Sequence, residues 1–109
     1  MTTFDDREKG YEKKFALDQE QLFRAHARRD KLFGLWAAGR MGLGGEAAEA
    51  YAKSVVSEDI AHPGDTAIAA KVGSDFAAKG IKIAEQDLLR KLDELFTTAK
   101  QQIVGEPGR

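Results

Sequence analysis

One helical stripe constrains this chain more than any other feature. Counted at 100° per residue, Phe4, Tyr11, Phe15, Leu22, Ala25, His26, Leu32, Phe33 and Trp36 fall on one side of a helix running from Thr3 toward Arg40. Arg24, Arg28 and Lys31 fall on the opposite side. Thr3 is placed to cap the start, and Asp5 and Asp6 stand in the first turn, where the helix dipole and unsatisfied N–H groups favour carboxylates. Unbroken, such a helix would run about 57 Å at 1.5 Å per residue, longer than a compact body of this size covers. Part of it must project.

The two ends of the stripe differ. The stretch from Arg28 to Ala38 carries the single tryptophan and a dense apolar face. Met1–Leu17 has a sparse one interrupted by Gly10, which costs about 1 kcal/mol relative to alanine, and an isolated segment of that length is marginal in water. The expected organisation is therefore an arm over residues 1–17, partly disordered when free, and a body over residues 18–109. The arm's aromatics, set on one helical face, can anchor in a partner's groove or fold back onto the body.

The body reads as all-α. Arg40–Gly45 is a glycine-rich helix–helix turn. It lacks the spacing and the Lys-Ser/Thr of a phosphate-binding loop, and no strand precedes it. Glu46–Asp59 forms a second helix with Ala48, Tyr51, Ala52, Val55 and Val56 inward. His62-Pro63-Gly64-Asp65 breaks the chain, and Asp65 is expected to cap a third helix from Thr66 to about Lys79, which buries Ile68, Val72 and Phe76. A fourth, from about Ala84 to Val104, carries Leu88, Leu89, Leu92, Leu95, Phe96, Ala99 and Ile103 along one side. The fold class is a four-helix, bundle-like body with a long first helix whose C-terminal half the others cover, and a projecting N-terminal arm.

Little in the chain suggests catalysis. There is no cysteine, hence no disulfide, thiolate metal site or cysteine nucleophile, which fits a reducing compartment. The two histidines have no ligating or basic neighbours at useful spacing, and the carboxylate pairs Asp5-Asp6 and Glu58-Asp59 sit at helix ends, where capping accounts for them. A net charge of −1 argues against nucleic acid as partner. The chain shows no signal peptide and no membrane-length apolar run, so a cytoplasmic location is expected. Arg24, Arg28 and Lys31 read as a solvated outer face. Arg29 is different, because it falls on the inner face, where it must find a carboxylate or leave the core edge, and a pairing to an acid elsewhere in the body is expected. What remains is a binding or regulatory protein without a metal or a required cofactor. The competing expectation is a small-ligand-binding bundle, with a nucleotide as one candidate, that uses a crevice by Arg29, Trp36 and the Gly42–Gly45 turn.

The residues carry a further signal. Thr2-Thr3-Phe4-Asp5-Asp6-Arg7-Glu8-Lys9-Gly10-Tyr11-Glu12 with Phe15-Ala16, then Ala27-Arg28-Arg29 to Ala38, Ala47-Ala48-Glu49-Ala50-Tyr51-Ala52-Lys53 and Pro63-Gly64-Asp65 resemble the zeta-subunit family of alphaproteobacterial ATPase inhibitors. The resemblance covers nearly the whole chain. Asp30 and Phe33 depart from the asparagine and leucine it leads one to expect, and Gly39 from a helix former.

The resemblance implies a regulatory inhibitor of ATP hydrolysis by the F-type ATP synthase, held peripherally at the inner membrane through the synthase's catalytic head. Its N-terminal segment would enter an alpha/beta interface beside the gamma subunit and block rotation. Carried onto this chain, Phe4, Tyr11 and Phe15 become apolar anchors. Asp5, Asp6, Arg7, Glu8, Lys9 and Glu12 become the polar contacts that orient them.

Overall fold

The computed structural model describes residues 17–106, and every regular element among them is helical. They are α1 (Gln19–Arg40), α2 (Gly45–Ala61), α3 (Asp65–Ala78) and α4 (Glu85–Gly105). The expected start of the first helix at Thr3 lies outside the described residues. Within them α1 begins on a capping box: the Asp18 carboxylate accepts from the Gln21 backbone N–H at 2.7 Å, and the Gln21 side chain accepts from the Asp18 N–H at 3.1 Å. Asp-x-x-Gln ahead of the apolar run is the sequence signature of this start.

The turns after α1 and after α3 each use a glycine to reverse the chain. At the end of α1 the Leu43 N–H donates to the Ala38 carbonyl and the Gly42 N–H to the Gly39 carbonyl. Ile81 and Gly80 donate to Phe76 and Ala77 in the same way after α3. Each is a Schellman closure, with Gly42 at φ +83° and Gly80 at φ +77° in the left-handed region where a side chain would be strained. The α2–α3 corner differs from the expected cap. Gly64 occupies the N-cap position without a side-chain bond, and Asp65 is already the first helical residue.

α1 is the spine, with α2 and α4 packed along it and α3 lying across α2 and α4. The main core joins Phe33 and Ala37 of α1, Val55 of α2, Ile68, Val72 and Phe76 of α3, and Leu88 and Leu92 of α4, all essentially inaccessible to water. Burying each of the larger side chains contributes about 1.5–3 kcal/mol. The expected inward faces of α3 and α4 supply these residues.

The body reaches further along α1 than its C-terminal half. A second cluster of Ala25, Ala99 and Ile103, with Leu17, Leu32 and Phe96 against it, carries the packing back to the start of α1. Leu17, expected to belong to the arm, touches this cluster.

The closest approach is between α1 and α2. A Cβ on Gly34 would lie 2.6 Å from the Ala52 Cα, so the two backbones meet where both residues are small. Ala52 is wholly buried there.

Candidate functional site

The inhibitory residues expected from the resemblance, Phe4, Asp5, Asp6, Arg7, Glu8, Lys9, Tyr11, Glu12 and Phe15, all lie outside the described residues. Arg29 and Trp36 lie within them. The fold gives these two separate surroundings.

Arg29 is 3% exposed and stands where α1 meets the α2–α3 corner. Its guanidinium faces three carboxylates. Nε and Nη2 donate to Oδ1 of Asp30 at 3.1 and 2.9 Å, Nη1 lies 3.0 Å from Oδ1 of Asp65, and Nη2 lies 3.8 Å from Oδ2 of Asp59. The partners required elsewhere in the body are Asp59 and Asp65. The nearest, Asp30, is its own neighbour in the chain and is itself only 2% exposed.

The Asp30 and Asp59 carboxyls converge on the same Arg29 nitrogen, Nη2, where a proton held by one of them can bond the other. Burial falls on Asp30 and pushes its pKa up to about 7, with the bond to Asp59 adding to the rise. The same bond holds Asp59 below the usual carboxylate range, aided by the Gly64 N–H that donates to it at 3.2 Å. His26, whose ring lies against Phe96, is lowered by partial burial and by the Arg29 charge.

Above this cluster opens a cleft of about 400 Å³ between α1 and the end of α2. Its walls are Phe23, Ala27, Val56, Ile60 and Pro63, and His26, Asp30 and Asp59 also line it. Phe23 and Ile60 are each 75% exposed, an unusual state for side chains of that size. Neither stands out in the sequence, because Phe23 falls beside the apolar stripe rather than on it.

Trp36 lies at the other end of α1. It stacks on Phe33 with ring centres 5.6 Å apart and meets Phe76 at 5.8 Å. Its outer face carries the guanidinium of Arg40 and the ammonium of Lys91, each 5.6 Å from the ring centre. A second cleft, of about 410 Å³, runs along Trp36, Arg40, Ile83, Asp87, Arg90, Lys91 and Glu94. Arg29 does not line this cleft. The crevice expected from Arg29 and Trp36 together is thus divided between two places.

The outer row of α1 is also more engaged than a solvated face. Arg24 reaches Oε1 of Glu106 at 2.6 Å and Arg28 bonds Oε2 of the same carboxylate, while Arg28 also donates to Gln102 at 2.9 Å. These contacts tie the C-terminal end of α4 to the start of α1. α4 is long enough to run antiparallel to the whole of α1, and sequence spacing gives no sign of that register. Lys31 remains exposed, 3.6 Å from Glu49.

Among the described residues no group of three or more histidines, cysteines or acids is arranged to hold a metal ion, and no helix is long and apolar enough to cross a membrane.

No curated protein matches the chain. A protein-family model described as ATPase inhibitor subunit zeta matches residues 1–102. That span includes all but the last turn of α4, both clefts, the buried Arg29 cluster and the sixteen residues that precede the described body. The chain therefore belongs to the ATPase inhibitor subunit zeta family.

Proposed function

We propose that this protein inhibits ATP hydrolysis by the F-type ATP synthase, with residues 1–16 inserting between an alpha and a beta subunit next to gamma and blocking rotation. The observation that supports this reading is the extent of the family match. It runs from residue 1, through the segment ahead of the capped start of α1, and across the four-helix body. The spacing of Phe4, Tyr11 and Phe15 would set them on one face of a helix in the bound segment, with the flanking charges orienting it. The body acts as a carrier that holds the segment at the catalytic head. No residue of the chain is required to do chemistry.

The test compares ATP hydrolysis by an isolated cognate catalytic head in the presence of the full chain and of a version lacking residues 1–16. The cut falls before Leu17 because Leu17 packs against the body. Inhibition by the full chain and none by the shortened one is the expected result. Equal inhibition by both would move the function into the body.

A second reading, a small-ligand site, draws on the cleft beside Trp36, where an aromatic face and the cations Arg40, Arg90 and Lys91 adjoin. Asp87 and Glu94 already pair with Arg90 and Lys91, at 2.8 and 2.7 Å, so an anion must displace those carboxylates. Saturable quenching of Trp36 fluorescence by ATP or ADP supports this reading, and an unchanged spectrum at millimolar nucleotide refutes it.

A further inference from the structure

The cluster around the buried Arg29 holds more acid than its one cation can neutralise. Three helices contribute: His26, Arg29 and Asp30 from α1, Asp59 from α2 and Asp65 from α3, with Lys100 of α4 facing His26 from the fourth side. With every carboxylate ionised, three negative charges would share one guanidinium, and the Asp30 and Asp59 oxygens would meet without a proton between them. Like charges that converge on one guanidinium nitrogen, with Asp30 itself buried, are strongly unfavourable. One proton between Asp30 and Asp59 removes that conflict and leaves two carboxylates on Arg29.

Asp59 transmits the state of the pair to the chain. It is the last acid of α2, and it also accepts from the backbone N–H of Gly64, the N-cap of α3. The corner between them carries Ile60 and Pro63, two walls of the apolar cleft. Whatever moves Asp59 therefore moves the α2–α3 corner and the cleft mouth together.

We propose that the Arg29–Asp30–Asp59–Asp65 cluster is a proton-operated latch: a single proton shared by Asp30 and Asp59 holds the α2–α3 corner against α1, and its loss loosens that corner. The sign follows from Asp30. Its folded-state value is raised above the unfolded one, so the latch is fully closed below about pH 4 on the Asp30 side and is lost as pH rises toward about 7. Asp59, held low, opposes this only in more acid solution. His26 works the other way below its ordinary value of 6.5, because its depressed pKa favours the neutral ring and stabilises the fold as pH rises. This device is independent of how the N-terminal segment acts.

The test is carbon NMR of the side-chain carboxyls together with amide exchange of the full chain, in the natural protein, in H26Q and in D30N. Asparagine at position 30 keeps an acceptor for Arg29 and a donor for Asp59 without an ionisable proton. The Asp30 carboxyl should titrate with a midpoint above about pH 6 in the natural protein and in H26Q. Protection of the Gly64 amide, corrected for intrinsic exchange, should fall by about tenfold or more between pH 5.5 and 8 in both, and change less than about twofold in D30N. An Asp30 midpoint below about pH 5 overturns the latch. So does a fall in Gly64 protection that survives D30N or disappears in H26Q. If D30N fails to fold, the Asp30 midpoint and the H26Q exchange data decide the matter alone.

Discussion

Two glycines in α1 should respond in opposite directions to the same substitution. Gly34 is buried where α1 crosses α2, and its replacement by alanine would put a methyl 2.6 Å from the Ala52 Cα, 3.1 Å from the Ala52 Cβ and 3.3 Å from the Val55 Cβ. The first of these is backbone, so the clash is relieved only by pushing the helices apart. Overpacking of this kind costs about 1–3 kcal/mol, and a backbone obstacle places it at the upper end. The gain in helix propensity, about 1 kcal/mol, offsets part of that. Gly39 is exposed in the last turn with nothing within 4 Å of an added Cβ, so Gly39→Ala keeps the propensity gain alone. At about 4–8 °C per kcal/mol for a domain of this size, Gly34→Ala lowers Tm by roughly 5–15 °C and Gly39→Ala raises it by a few degrees. Thermal unfolding followed by helical circular dichroism measures both. A Gly34→Ala protein as stable as the natural one would refute the close approach of α1 and α2.

Other perturbations follow from the same contacts. Phe76→Ala removes a fully buried ring that meets Trp36, and it should cost about 3–5 kcal/mol in urea unfolding, much of the stability of a domain this small. Asp18→Ala removes the carboxylate that accepts from the Gln21 N–H and should cost about 1 kcal/mol, with faster amide exchange confined to the first turn of α1. Arg29→Ala strands Asp30, Asp59 and Asp65 without their cation and should destabilise by about 3–5 kcal/mol at neutral pH, with part of the loss recovered on acidification. Glu106→Gln weakens the hold of Arg24 and Arg28, and exchange should speed up in the last turn of α4 while the melting profile of the core is unchanged.

The all-α fold and most of the core were legible in the chain. Ile68, Val72 and Phe76 recur at a four-residue spacing that a helix brings to one side, and all three are buried. Trp36 was legible less completely. The helical count puts it inward, but a ring of that size at the last turns of α1 closes the core with one face and meets Arg40 and Lys91 with the other. The demand of Arg29 for a carboxylate was also readable, since a guanidinium on an inner face has few other ways to be satisfied.

What the sequence by itself determined is periodicity, turn positions and the need for particular partners, because all of these are set by neighbours within about one helical turn. Which partners meet is a matter of register between elements distant in the chain. Only the tertiary structure brought Asp59 and Asp65 to Arg29, closed Glu106 on Arg24 and Arg28, and left Phe23 and Ile60 exposed beside one cleft. Asp30 illustrates the division most clearly. In sequence it is one more acid beside an arginine, and its pKa is raised first by the burial that the packed helices impose and then by the second carboxylate that α2 brings to it.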